Sequence, residues 1–170
     1  MKGIDKFEMF LKELDNFELE KLDSEGNKIR VLFNVNEKAT KQEIEEVEAE
    51  LGITMPNSYK EFLSKHNGAR LFDYEGLDGF LILGTKDIVK VNDFSKATFE
   101  EDWINDILIF AKYIGESNYL AFKTSFQKNE YPIVDCYFEE LPEDWKVIEK
   151  SFDEFLNSLT EQNGDKYWLK

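Results

Sequence analysis

Apolar residues recur at intervals of three and four near the start of the chain, where they predict an amphipathic helix. These positions are Ile4, Phe7, Phe10, Leu11, Leu14 and Phe17. Residues with this spacing share one face of an α-helix. From residue 19 the pattern changes to alternation, with Ile29, Val31 and Phe33 on one side and a polar stretch at residues 24–27. Residues 19–34 are therefore predicted to form a β-hairpin.

Two consecutive helices are predicted in the next part of the chain. Residues 40–43 read Thr-Lys-Gln-Glu, a capping box in which the hydroxyl and the carboxylate bond free backbone amides at a helix start. Gly52 supplies the left-handed residue that ends this helix. Pro56 suits the first turn of another helix, which we expect Gly68 to end. The predicted inner face of that helix carries Tyr59, Phe62, Leu63 and His66.

Short apolar stretches predict sheet strands in the second half of the chain. They are separated by Gly, Asn, Pro and acidic residues, and they cover residues 80–83, 107–111, 119–122 and 133–138. A brief helix is predicted at residues 85–91. A last helix is predicted after Ser151, because Glu154 follows three residues later, as in a capping box.

The chain is predicted to form a single domain of the α+β class. Its central sheet should be mixed or mainly antiparallel and wrapped by helices, and no linker or internal repeat interrupts the pattern. Residues 1–38 hold the amino-terminal helix and the hairpin, residues 39–159 form the core, and residues 160–170 form a carboxyl-terminal tail.

The residues around the predicted helix pair resemble a known family. They are Ala39-Thr40, Glu50-Leu51-Gly52-Ile53, Met55-Pro56, Ser58-Tyr59-Lys60-Glu61-Phe62-Leu63 and His66-Asn67-Gly68. On these residues the chain resembles the SUKH superfamily, which includes the yeast cell-wall assembly regulator and bacterial immunity partners of polymorphic toxins. Residues 148–156 are similar to the carboxyl end of that family. The chain departs from the family pattern at Ala69, where a second glycine is usual, and at residues 114–119, where a glycine-rich turn is common.

The resemblance implies a fold and a type of function. Over residues 39–159 the predicted helices and strands follow the same order as in the family. The residues themselves match the family only in the predicted helix pair. The resemblance implies an α+β fold, binding to another protein, and no enzymatic activity.

The charge of the chain narrows the class of partner. Asp and Glu number 36 and Lys and Arg number 21, which gives a formal net charge of −15. Such a surface repels nucleic acid and anionic membranes, and it attracts basic proteins. We therefore expect no direct binding to nucleic acid and no binding to membranes. The alternative is that the acidic residues only keep the protein soluble.

The remaining composition indicates a cytoplasmic protein. Cys136 is the single cysteine, so an intramolecular disulfide and a cysteine-based zinc site are both excluded. The amino terminus lacks the continuous apolar stretch of a secretory signal, and the apolar stretch at residues 107–111 is too short to cross a bilayer. The expected state is a monomer or a weak dimer.

The residue types that carry catalysis are scarce. His66 is the single histidine, and its place among apolar residues near a predicted helix end favours a structural role in which the ring bonds a terminal carbonyl. Cys136 lies in an apolar strand beside Asp135, so we expect an unreactive buried thiol. Acidic residues at 73, 75 and 78 could bind a cation, but their spacing departs from the EF-hand pattern. We predict no metal and no cofactor.

Two segments that place a tryptophan beside acidic residues are the candidate partner-binding sites. They consist of Glu100, Glu101, Asp102, Trp103 and Asp106, and of Glu139, Glu140, Glu143, Asp144 and Trp145. Aromatic anchors surrounded by charge are typical of protein interfaces, because the ring supplies affinity and the charges direct association. The alternative is that both tryptophans cover the core while the acids face water.

These observations predict a non-catalytic protein-binding domain. The leading hypothesis is a bacterial immunity protein that neutralises a cognate toxin with a basic domain, such as a nuclease, through its acidic surface. The alternative is a regulatory scaffold that binds several host proteins. A small hydrolase that uses paired carboxylates is a further alternative, because sequence alone does not distinguish a catalytic pair from a solvated acidic face.

Overall fold

The protein is built from one eight-stranded antiparallel sheet and a set of helices. The computed structural model describes residues 1–125 and 129–170. In these ranges the helices are α1 (Gly3–Glu13), α2 (Lys41–Leu51), α3 (Asn57–Leu63), α4 (Ile88–Phe99) and α5 (Phe152–Glu161). The strands are β1 (Glu18–Leu22), β2 (Lys28–Val35), β3 (Ala69–Tyr74), β4 (Asp78–Ile82), β5 (Ile107–Tyr113), β6 (Tyr119–Lys123), β7 (Ile133–Cys136) and β8 (Lys146–Glu149).

Each strand pairs with the strand that follows it along the chain, so β1 and β8 form the two edges of the sheet. All seven pairings are antiparallel. The predicted α+β class, with a mainly antiparallel sheet and surrounding helices, is therefore confirmed. Among the described residues, no helix combines the length and the apolar composition needed to span a bilayer.

The helix and the hairpin predicted near the amino terminus are both present, but the segment between them differs from the prediction. The first helix and the hairpin both form, but α1 ends at Glu13, so the prediction that Phe17 belongs to its apolar face is wrong. Phe17 has a positive φ of 56° and is 49% exposed. In the hairpin turn, the carboxylate of Asp23 accepts hydrogen bonds from the backbone amides of Glu25 and Asn27.

The predicted capping box is present at the start of α2. The Thr40 hydroxyl accepts from the Glu43 amide at 3.1 Å, and the Glu43 carboxylate accepts from the Thr40 amide at 2.8 Å. Gly52 ends the helix with a φ of 66°. The next helix begins after Pro56 as predicted, but it ends at Leu63, before the predicted end at Gly68.

Two elements of the middle of the chain differ from the sequence prediction. Strand β3 was not predicted, because its register shifts between Leu71 and Tyr74 and Phe72 has a positive φ, which breaks the alternation of a regular strand. Helix α4 is longer than the predicted residues 85–91. Its buried face carries the polar residues Asn92 and Ser95, so no continuous apolar stripe marks it.

One face of the sheet is covered by α1, α3 and α5. Aromatic rings from the strands and the helices form its core, and the Phe110 and Phe122 rings stack with centroids 4.2 Å apart. The two terminal helices contact each other directly: the Ile4 amide donates to the Asp153 carboxylate at 3.3 Å. A side chain at Gly3 would collide with the Asp153 backbone, so glycine permits this close contact.

The opposite face of the sheet is covered only in part. Helix α4 packs on β5, where the Asn92 side chain bonds both the amide and the carbonyl of Ile109. At the β1–β2 end the same face is open to solvent, and Leu22 and Leu32 are exposed there.

Candidate protein-binding surface

The first predicted segment directly follows α4. Residues Glu100–Asp102 form a short 3-10 helix, and the Trp103 amide donates to the Glu100 carbonyl at 3.2 Å. Glu100 has a positive φ of 51°, which turns the chain away from the helix axis. The three acidic side chains of this turn are exposed, whereas Trp103 is half-buried.

The second predicted segment connects β7 to β8. Residues Pro142–Asp144 form another 3-10 helix, with Pro142 buried and Glu143 and Asp144 exposed. Glu139 and Glu140 are also exposed, and the Glu139 carboxylate accepts a hydrogen bond from the Tyr137 hydroxyl at 2.8 Å. Strand β8 begins immediately after Trp145.

The two segments meet at a group of rings that we call the aromatic cluster, formed by Phe99, Trp103, Phe138 and Trp145. The Trp103 and Trp145 rings are 6.4 Å apart, and Phe99 lies 5.4 Å from Trp145 and 4.9 Å from Phe138. The Phe138 and Trp145 rings are stacked at 6.2 Å. Because these contacts join the two segments, their exposed acidic residues lie around one cluster. We call this set the acidic surface: Glu100, Glu101, Asp102, Glu139, Glu140, Glu143 and Asp144.

Trp145 supports the acidic surface from beneath. Trp145 is only 6% exposed, and its indole N–H donates to the Tyr137 carbonyl at 3.0 Å. In this position the ring fixes the connection between β7 and β8, and it does not offer a face to a partner. Trp103 differs, because its half-buried ring lines a cleft of about 360 Å³ together with Glu50, Asp93 and Lys96.

Asp106 lies apart from the acidic surface. Its carboxylate reaches the Lys123 ammonium group on β6 at 3.5 Å, and its backbone carbonyl accepts from the Thr124 amide at 2.7 Å. One carboxylate oxygen of Asp106 is buried without a partner among the described residues. This contact with β6 ties the start of β5 to the neighbouring strand.

The charges of the acidic surface are not neutralised by neighbours. Within residues 1–125 and 129–170, none of its carboxylates forms a salt bridge. Acids on β1 differ: Glu18 pairs with Arg30 at 3.4 Å and Glu20 pairs with Lys28 at 3.5 Å. The negative potential of the chain is therefore available to a partner at the acidic surface.

Exposed apolar side chains accompany the acids of the second segment. Tyr137, Leu141 and Val147 are 41%, 43% and 57% exposed. These three residues were not predicted as binding residues, although their position beside an acidic turn is visible in the sequence. Apolar contacts bordered by charge are the usual composition of a protein interface.

The candidate reactive side chains are engaged in the fold. Cys136 is fully buried, and burial raises the pKa of its thiol with a further contribution from Asp135, so the predicted burial of this side chain is confirmed. His66 lies beyond the end of α3, and its ring bonds the Glu8 carboxylate on α1. The prediction that this ring bonds a helix-terminal carbonyl is wrong.

Two of the three acidic residues considered for a cation site, Asp73 and Asp78, take part in ion pairs. The Asp73 carboxylate accepts from Arg70 at 2.9 Å, and the Asp78 carboxylate pairs with Lys166 at 3.0 Å. In the described part of the chain, no group of three or more His, Cys, Asp or Glu side chains is placed to hold a metal ion.

The half-buried carboxyl group of Asp135 makes the stability depend on pH. Burial raises the pKa of Asp135, and the hydrogen bond from the Tyr113 hydroxyl, at 2.7 Å, opposes this shift. The Asp135 carboxyl group therefore binds its proton more tightly in the folded state than in the unfolded state. The contribution of Asp135 is most favourable below its unfolded pKa, and it is lost as the pH rises through the raised folded pKa.

Replacing Asp135 with asparagine should remove this pH dependence. The asparagine oxygen can still accept from Tyr113, but no charge is buried. We expect the stability of Asp135→Asn relative to the wild type to increase as the pH is raised from about 4 to about 7, because the wild type loses stability as its carboxyl group ionises. Urea unfolding at both pH values measures this change, and a constant or decreasing difference contradicts the assignment.

The sequence matches one family over most of its length. Residues 38–158 match the SMI1 / KNR4 family (SUKH-1). The chain is 31% identical over 138 residues to the uncharacterized protein YnaB of Bacillus subtilis (strain 168), which covers 80% of this chain and 86% of that protein. It is 27% identical over 147 residues to the uncharacterized protein YobM of the same organism, which covers 85% of this chain and 78% of that protein.

Proposed function

We propose that this chain, which belongs to the SMI1 / KNR4 family (SUKH-1), is an immunity protein that binds a cognate toxin and blocks it without catalysis. The family includes toxin immunity proteins and is generally non-catalytic. The toxin would carry a basic domain, such as the substrate cleft of a nuclease. By covering that cleft, the acidic surface would exclude the toxin's substrate.

The observation that carries this proposal is the meeting of two acidic segments on one aromatic cluster. The segments are far apart in the sequence, yet the contact between Trp103 and Trp145 brings them together. The carboxylates of the acidic surface form no salt bridge with any residue that the structure describes. A preorganised anionic surface binds a cationic partner without first ordering flexible loops. It also accelerates encounter, because the opposite charges attract before contact.

Charge reversal on the acidic surface should slow association with the toxin. We expect Glu101→Lys with Asp102→Lys, or Glu143→Lys with Asp144→Lys, to lower the association rate constant roughly tenfold at low salt. The dissociation rate constant should change much less, because exposed charges act mainly on encounter. Surface plasmon resonance at several salt concentrations measures both constants.

A matched control separates the acidic surface from the net charge. Glu13 and Glu25 are exposed and lie outside the acidic surface, and reversing both changes the net charge by the same amount. We expect Glu13→Lys with Glu25→Lys to have a much smaller effect on association. Equal effects of the control and the test variants would show that the location of the charge does not matter.

The toxin itself can be sought through the neighbouring reading frames of the native genome. Expression of a candidate toxin domain should arrest growth of a laboratory host, and co-expression of this chain should restore growth. Size-exclusion chromatography of the two purified proteins should then show a stable complex. If no neighbouring product is toxic and affinity purification from the native host recovers no toxin, the immunity function is contradicted.

A regulatory scaffold is the second candidate function. The observation that favours it is a second accessible surface, the open sheet face formed by Glu20, Leu22, Arg30 and Leu32. Here exposed leucines lie beside paired charges, so this face suits partners that are not basic. A scaffold should lose some partners when Leu32 is replaced with glutamate and others when Glu143 and Asp144 are reversed, whereas an immunity protein should respond only to the second change.

A further inference from the structure

We infer that the free edge of β8 binds an extended basic segment of the partner, which adds a ninth strand to the sheet. This inference rests on the proposed function, because it specifies how a partner attracted by the acidic surface would be held. The edge lies directly beside Glu143 and Asp144, which precede β8 in the sequence.

The hydrogen-bond register identifies the backbone groups that the edge offers. The Lys123 amide donates to the Pro132 carbonyl at 2.9 Å. Bonded pairs alternate along antiparallel strands, so the backbone groups of Asp135 point toward β8, where Asp135 pairs with Lys146. The next residue, Val147, lies just before a register shift between β7 and β8, and it directs its amide and its carbonyl away from β7.

These outward groups have no hydrogen-bond partner within residues 1–125 and 129–170. In the part of the chain that the structure describes, no other segment makes a hydrogen bond to the Val147 backbone, and the residue is 57% exposed. A free strand edge of this kind is a template for pairing with another chain, in which backbone bonds supply affinity and alternate side chains supply specificity.

Charge distinguishes the β8 edge from the edge at β1. On β1, Glu18 and Glu20 are already paired with basic residues of β2, so a cationic strand gains little there. Beside β8, Glu143 and Asp144 have no such partners among the described residues. An extended segment with basic side chains is therefore attracted to β8 in preference to β1.

The same charges disfavour a second copy of this chain as the occupant. Two β8 edges brought together would place the acidic turns of both copies near one another. Lys146 is also exposed at the start of the strand, and a lysine at a strand edge is a common protection against pairing of identical edges. A basic segment avoids the first of these obstacles, because its charges are opposite to those of the acidic turn.

The experiment compares two synthetic nine-residue peptides of alternating lysine and valine. One is unmodified, and the other carries N-methyl groups on alternate backbone amides, which lie along one edge of the peptide when it is extended. Both peptides carry the same charge, but the methylated one cannot donate to a neighbouring strand. We expect the unmodified peptide to bind the full chain at least roughly tenfold more tightly by isothermal titration calorimetry. We also expect it to protect the Val147 amide from hydrogen exchange.

Two variants test whether the peptide binds at the edge of β8. Val147→Pro removes the outward amide and should weaken binding of the unmodified peptide roughly tenfold, because a pairing donor is lost. Val147→Ala is the matched control, because it shortens the side chain at the same position and keeps both the charge and the outward amide. Its effect should be small, and urea unfolding verifies that both variants fold.

Failure of this inference differs from failure of the proposed function. Equal affinity of the two peptides, or no binding of either, would contradict strand addition at β8. This comparison uses the wild-type chain, so it does not depend on whether a variant folds. If reversal of Glu143 and Asp144 still slows association with the toxin, the proposed function stands without the edge. If that reversal has no effect, the acidic surface itself is excluded.

Discussion

Replacing Trp145 with alanine is expected to lower the free energy of unfolding by about 3–5 kcal/mol. The residue is only 6% exposed, and its ring contacts Phe99, Trp103 and Phe138. Removing it leaves a cavity beneath the acidic surface and leaves the Tyr137 carbonyl without its indole donor. Because the two acidic segments are joined through this ring, we also expect slower association with the toxin in the folded fraction.

Urea unfolding followed by circular dichroism measures the effect of Trp145→Ala on stability. Trp145→Phe is the matched control, since it keeps an aromatic ring in the cluster and removes only the indole donor and part of the volume. We expect this variant to lose about 1–3 kcal/mol. A loss below about 1 kcal/mol for Trp145→Ala is typical of surface substitutions, and it would contradict the supporting role of the ring.

Replacing Asn92 with alanine is expected to lower the free energy of unfolding by about 2–4 kcal/mol, because it leaves buried backbone groups unpaired. Strand β4 ends at Ile82, and beyond that point the Asn92 side chain takes the place of a neighbouring strand. Its amide nitrogen donates to the Ile109 carbonyl at 2.9 Å, and its oxygen accepts from the Ile109 amide at 2.8 Å.

Chemical denaturation of Asn92→Ala and two companion variants isolates this role. Asn92→Asp keeps the size of the side chain but loses the donor and buries a charge, so we expect it to be destabilised as well. Lys96→Ala, at an exposed position on the same helix, should change the stability by less than about 0.5 kcal/mol. Full stability of Asn92→Asp would show that the bond to the Ile109 carbonyl is dispensable.

Elements with local signals could be predicted from the sequence. The capping box at Thr40, the left-handed Gly52 and the helix start after Pro56 each act within a few residues, and all three were predicted correctly. The length of α4 was not predicted correctly. The Asn92 side chain lies on the buried face of this helix, where it bonds the backbone of a distant strand, and a polar residue at such a position interrupts the apolar pattern of a helix. Strand β3 was missed because a bulge interrupts its alternation.

The candidate surface could be predicted in its parts but not in its assembly. Both tryptophan-containing segments were identified from composition, yet no local pattern indicates that Trp103 and Trp145 contact each other. That contact depends on where α4 ends and on the order of the strands, which are long-range properties. Sequence alone also could not separate a tryptophan that contacts a partner from one that supports the surface, since burial decides between these roles.

The contact between α1 and α5 has a consequence for synthesis on the ribosome. Pairing only between consecutive strands lets the sheet extend as each strand emerges, without waiting for later segments. Helix α1 is translated long before α5, because the Asp153 carboxylate that bonds its Ile4 amide lies 149 residues later in the sequence. The nascent chain therefore keeps the apolar side of α1 incompletely covered until α5 has been translated, and a product terminated before α5 would present that side to chaperones and proteases.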